Sequence, residues 1–117
     1  MDEKDLKGRT QGFALRVIRL TEALPKNRVA DVIGRQLLRS GTSVGANYRA
    51  ACRARSRAEF IAKLGIVEEE LDESGYWMEL LRAEGIVKAD RLHGIQDETN
   101  QLLSIIVKSI KSAKANR

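Results

Sequence analysis

Five arginines of one segment share a helical face, and they are the side chains of this chain most suited to chemistry. Each residue turns an α-helix by about 100°, which brings the five within an arc of roughly 80°. They are Arg28, Arg35, Arg39, Arg49 and Arg53, called the arginine line below. Guanidinium groups make paired hydrogen bonds with phosphates and with carboxylates. The arginine line therefore either binds an anionic partner or pairs with acidic side chains of the protein itself.

The distribution of charge along the chain supports both alternatives. Residues 26–57 contain eight basic residues and one acidic residue, whereas residues 58–85 contain eight acidic and two basic residues. The net charge of +5 suits a nucleic acid, whose phosphates would be bound without reading the base sequence and more weakly as salt rises. Adjacent segments of opposite charge can equally pair with each other, and an acidic protein partner is a third alternative. We favour nucleic acid, RNA or DNA.

Small residues form a second line on the same segment. Gly34, Gly41, Gly45 and Cys52 fall within an arc of about 40°. A glycine inside a helix costs roughly 1 kcal/mol relative to alanine, so three in a line indicate close approach of another backbone. Because a bundle helix contacts its neighbours mainly on one side, we predict that this small-residue line is an oligomer interface.

A third line consists of uncharged polar residues beside the apolar face of the same helix. Such side chains are half-buried and need hydrogen-bond partners. We predict a structural network with the following helix and regard a small-ligand pocket as the alternative. The members of this polar line are Gln36, Ser40, Ser43 and Asn47.

Apolar residues recur every three or four positions along the chain, which is the period of amphipathic helices. We predict four helices in a single domain (1–117), over residues 11–24, 28–54, 57–84 and 89–114. Pro25 ends the first, Ser56 and Glu59 form a capping box before the third, and Gly85 ends it as a left-handed cap. The predicted fold is all-α: an antiparallel up-down-up-down four-helix bundle about 40 Å long.

Other chemistry finds little support in the sequence. The chain has one histidine, His93, and one cysteine, Cys52, which are too few for a zinc site or for a di-iron bundle. A phosphate-binding loop is missing, because Gly41 to Gly45 lie within a helix and follow no strand. We therefore expect no catalytic residues, metal or cofactor. With no apolar run of about 20 residues and no signal peptide, we expect a cytoplasmic protein that does not enter a membrane.

The run from Gly34 to Leu64, GRQLLRSGTSVGANYRAACRARSRAEFIAKL, resembles the signature of the bacterial four-helix bundle family. This family is also described as the intervening-sequence proteins of large-subunit ribosomal RNA genes. The resemblance extends weakly over about residues 10–112 and implies a four-helix bundle that assembles as a ring, typically a homopentamer. It also suggests kinship with the accessory proteins of diversity-generating retroelements, which are basic pentameric bundles that associate with a reverse transcriptase and nucleic acid.

Overall fold

A computed structural model describes residues 2–116 of the chain, and over this range it contains four α-helices and no strand. The helices are α1 (Glu3–Glu22), α2 (Arg28–Cys52), α3 (Arg57–Ala83) and α4 (Ala89–Ala115). They form a rod of 48 × 21 × 20 Å. None of the helices, over the residues described, is both long enough and apolar enough to cross a lipid bilayer.

The helices pack in chain order around one core, which confirms the predicted four-helix bundle. Helix α2 packs between α1 and α3, α4 packs on α3, and α1 and α4 approach each other only loosely. The apolar face of α2 is buried, including Leu37 and Val44, and so is that of α4, including Leu102 and Ile106. Each helix therefore turns one apolar stripe inward, and α2 turns its arginine line outward.

Helix α1 begins eight residues earlier than predicted. The Asp2 carboxylate accepts the backbone N–H of Asp5 at 2.9 Å and caps the helix. Leu6 and Thr10 are buried and continue the stripe formed by Phe13 and Val17. The charged side chains of the first turn obscured this start in the sequence, although acidic residues there favour a helix N-terminus.

The predicted capping motifs are present at both ends of α3. The Ser56 hydroxyl accepts the Glu59 N–H at 3.1 Å, and the Glu59 carboxylate reaches back to the N–H of Arg55 at 3.0 Å. Gly85 has φ +70°, a left-handed conformation that glycine adopts without steric cost. Just beyond it, the Ile86 N–H donates to the Leu81 carbonyl at 2.9 Å and closes the end of the helix.

The small-residue line lies against α1 of the same chain. A Cβ built on Gly41 would lie 2.8 Å from both γ-carbons of Val17, and one on Gly34 would lie 2.9 Å from Cδ1 of Leu24. A Cβ on Gly45 would lie 3.2 Å from Oγ1 of Thr10. The expected close approach exists, with α1 at Gly41 and Gly45 and with Leu24 of the α1–α2 connection at Gly34. These three glycines are buried within the protomer, whereas Cys52 at the end of the line is half-buried. The oligomer interface predicted for this line stays a prediction.

Candidate nucleic-acid interface

All five side chains of the arginine line are exposed along the outer side of α2. They differ in what they contact. Arg39 pairs with α3 and Arg35 pairs within α2, whereas the other three have no ion pair with any residue between 2 and 116. Arg35 and Arg39 thus pair with acidic side chains of the protein itself, and the other three arginines are the ones left to bind an anionic partner.

Arg39 belongs to an ion-pair seam between α2 and α3. Its Nη1 lies 3.2 Å from Oε2 of Glu70, and its Nη2 donates to Glu73. The indole Nε1 of Trp77 donates to the same carboxylate at 3.0 Å. The Glu70 side chain is only 15% exposed, so this arginine supplies the positive charge that a half-buried acidic cluster needs. The sequence analysis did not predict that Trp77 belongs to this network. The one feature of the sequence that could have indicated it is the four-residue separation between Glu73 and Trp77, which places them on the same face of a helix.

The ion pair of Arg35 is local and exposed. Its Nη2 lies 3.2 Å from Oδ2 of Asp31, one helical turn earlier, and its side chain is 77% exposed. A pair of this kind contributes only about 0.3–0.5 kcal/mol and is screened by salt. Arg35 can therefore exchange Asp31 for a phosphate at little cost.

Three arginines of the line, Arg28, Arg49 and Arg53, have no ion pair in the part of the chain that the structure describes. Arg28 is the first residue of α2, where a cation opposes the positive end of the helix dipole. Arg53 is the C-cap residue and Arg49 lies in the last turn, where cations are favourable. The positive charges of Arg49 and Arg53 therefore stabilise the helix, whereas the charge of Arg28 does not. At 1.5 Å per residue, about 37 Å of α2 separate Arg28 from Arg53.

The polar line joins α2 to α3 at one point. The Oγ atoms of Ser40 and Ser74 lie 2.9 Å apart, and both residues are buried. Ser43 and Asn47 instead donate to backbone carbonyls one turn earlier, at 2.7 and 2.9 Å. Gln36 is half-buried on the same side. Of the four residues in the polar line, Ser40 alone therefore makes a described hydrogen bond to α3, through Ser74.

Cys52 ends α2 and is half-buried. Burial raises the pKa of its thiol, with a smaller opposing effect from the hydroxyl of Tyr48. A raised pKa leaves less of the reactive thiolate at neutral pH. His93 is exposed near the start of α4. Over residues 2–116, no three of the acidic, histidine or cysteine side chains gather as a metal site would require.

Changing Arg39 to glutamine is expected to destabilise the protein by about 1 kcal/mol, because it leaves Glu70 and Glu73 close together without a counter-charge. Urea denaturation measures the effect. A Glu70→Gln background should remove part of the loss, since one of the two carboxylates that Arg39 neutralises is then absent and the pair with Glu73 remains. Equal losses in both backgrounds would show that Arg39 and Glu70 are not coupled.

The comparisons with known proteins cover nearly all of this fold. The family whose sequence profile matches residues 4–108 is described as 23S rRNA-intervening sequence protein. A crystal structure of a protein with unknown function from the S23 ribosomal protein family, from Bacteroides thetaiotaomicron VPI-5482, superposes with a TM-score of 0.88. Its sequence is 35% identical, and the alignment covers 95% of this chain and 99% of that chain. Among curated proteins, none matches this chain in sequence.

Proposed function

The chain belongs to the 23S rRNA-intervening sequence protein family, and from this premise we propose that it is a non-enzymatic, cytoplasmic protein that binds the backbone of nucleic acid. The proposed contacts are Arg28, Arg49 and Arg53, joined by Arg35 once it leaves Asp31. Arg39 is reserved for the seam with α3. The family and the similar crystal structure carry no indication of enzymatic activity.

One observation carries this proposal: beside a strongly acidic helix, three arginines have no ion pair with any residue between 2 and 116. Helix α3 has the carboxylates to neutralise its neighbour, yet within residues 2–116 it pairs only with Arg39 of the arginine line. The charge of Arg28 at the wrong end of the helix dipole has a reason if a phosphate neutralises it. The line spans about 37 Å, close to one turn of a DNA duplex, about 35 Å. Contacts at its ends and middle would grip a backbone without reading bases.

The purely structural function remains the second candidate, and Arg39 is the observation that favours it. Its two carboxylate partners show that part of the arginine line holds α2 to α3. Arg28, Arg49 and Arg53 share none of these contacts. A structural function for the whole line would require their partners to lie on another chain, as in a protein-binding adaptor.

We also propose that the protein forms a homo-oligomer, so that the arginine line is repeated and weak contacts add by avidity. The resemblance described above implies a pentameric ring. Because the small-residue line is occupied by α1, the proposed contact is the outer surface of α2 and α3. Large apolar side chains of these two helices are exposed in the single chain: Val29, Val32 and Leu38 of α2 and Ile66 of α3.

Two measurements on freshly purified protein test these proposals. Light scattering gives the mass of the assembly, and a single chain of 13.1 kDa would contradict an oligomer. Fluorescence anisotropy with labelled mixed-sequence RNA and DNA is expected to show binding near 50 mM salt that is largely lost by about 200 mM. Affinity that does not change with salt, or no binding at low salt to either probe, would contradict the proposed function.

A further inference from the structure

A groove lies at the end of the bundle where α2 and α4 end and α3 begins. Arg9 of α1 donates from Nε to Oε2 of Glu98 in α4 at 3.0 Å and joins these two helices nearer the middle of the bundle. Helix α4 continues to Ala115. The residues that line the groove come from α2, α3, α4 and the α2–α3 connection, and none of the described residues of α1 is among them.

The groove is lined by the three helix ends that remain there. Its volume is about 820 Å³. Phe60 of α3, Ile105 and Ala113 of α4, and Ala51 of α2 give it an apolar floor. Phe60 and Ile105 are only partly buried. The groove is therefore a concave, largely apolar surface formed by three helices.

The rim of the groove is basic. Arg57 lies on one side and Lys108 on the other, and the described residues that line the groove include no carboxylate. Arg57 also donates to the backbone carbonyl of Asn116 and thereby holds the end of α4. The neighbouring carboxylate of Glu3 is already neutralised by Lys7 at 3.0 Å, and this hydrogen bond, with a second from Cys52, lowers the pKa of Glu3.

We propose that this groove binds an amphipathic helix of a partner protein, about three turns long, with apolar residues on one side and acidic residues on its flanks. The position favours a helix, because α2, α3 and α4 present the surfaces on which the fourth helix of a bundle packs. The rim favours acidic flanks through charge complementarity with Arg57 and Lys108. A nucleobase fits less well, since the floor offers one aromatic ring and stacking needs aromatic platforms. No member of the arginine line lines the groove.

The test uses two fluorescein-labelled peptides with the same helical leucine seam, one flanked by glutamates and the other by lysines. Anisotropy with the full chain is expected to show about tenfold tighter binding of the glutamate peptide at 50 mM salt. The double variant Arg57→Glu, Lys108→Glu should reverse this preference. The matched control Arg82→Glu, Arg91→Glu carries the same change of charge at the opposite end of the bundle and should keep it.

Protection of Cys52 locates the bound peptide. Its side chain lines the groove, so saturating glutamate peptide is expected to slow alkylation of this thiol by about fivefold, as burial lowers access to a thiolate. Circular dichroism of each variant confirms that the helices persist. Equal binding of both peptides, or the same preference in the rim variant, would overturn the proposal.

Two other occupants are distinguishable from a partner helix. If unlabelled RNA displaces the peptide, and the rim variant loses RNA binding as well, the groove is a nucleic-acid site and the proposal fails. If Ser109→Trp, which fills the groove, reduces the mass of the wild-type assembly in light scattering, a second copy of the chain covers the groove. That outcome also overturns the proposal and leaves the proposed nucleic-acid contacts on α2 untouched.

Discussion

Replacing Gly41 by leucine is expected to lower the free energy of unfolding by at least about 3 kcal/mol, a large fraction of the stability of a domain this size. A Cβ at this position would already lie 2.8 Å from both γ-carbons of Val17. Val17 is fully buried and β-branched, so it has neither space nor a second rotamer in which to move away. The new side chain must therefore push α1 off α2. Urea denaturation measures the loss.

Glycine-to-alanine changes provide the matched control for this prediction. Gly65 lies inside α3 with no atom within 4 Å of a built Cβ, so Gly65→Ala should stabilise the protein by about 0.5–1 kcal/mol. Gly41→Ala makes the same chemical change against Val17 and should destabilise it, and Val17→Ala should relieve part of that loss. If Gly41→Ala were as stabilising as Gly65→Ala, the close approach of α1 to α2 would be contradicted.

Replacing Arg28, Arg49 and Arg53 together by glutamine is expected to weaken binding to mixed-sequence RNA about a hundredfold at 50 mM salt, because three phosphate contacts and their released counterions are lost. Stability should change little, since these side chains are exposed and have no ion pair with a residue between 2 and 116. Anisotropy gives the affinity, and thermal unfolding checks the fold.

The control for the triple variant removes the same charge elsewhere. Arg19, Arg82 and Arg91 are exposed on the other three helices, and their replacement by glutamine should weaken binding only slightly. Equal losses in both triple variants would show that net charge, rather than the arginine line, governs affinity. Dissociation of the oligomer by the Arg28, Arg49 and Arg53 changes would favour the structural function instead.

Local rules predicted most of the fold from the sequence. The capping box at Ser56, the left-handed cap at Gly85 and the three-and-four spacing of apolar residues each depend on neighbours within one turn. The late predicted start of α1 is the exception. Its first two turns are mostly charged, and only the packing of Leu6 and Thr10 against the other helices shows that they belong to the core.

The partners of each helical face could not be predicted in the same way. The helical period shows which residues of α2 share a face. It does not show which residues of other helices contact that face, because those contacts depend on how the helices pack. The glycines, for example, lie against Thr10 and Val17 of α1 and against Leu24 just beyond it. Arg39 pairs with Glu70 and Glu73, while Arg49, on the same line, has no ion pair with a described residue. The groove at the end of α4 brings together residues of three helices, a juxtaposition that no single segment encodes.

The central claim, that the unpaired arginines of α2 contact a nucleic-acid backbone, is tested most directly by the salt dependence of RNA affinity. For single strands the slope of log K against log salt concentration is about −0.7 for each neutralised phosphate. The slope for the Arg28, Arg49 and Arg53 triple variant should therefore be shallower than that of the wild type by about 2. An unchanged slope would show that these arginines touch no phosphate and would contradict the claim.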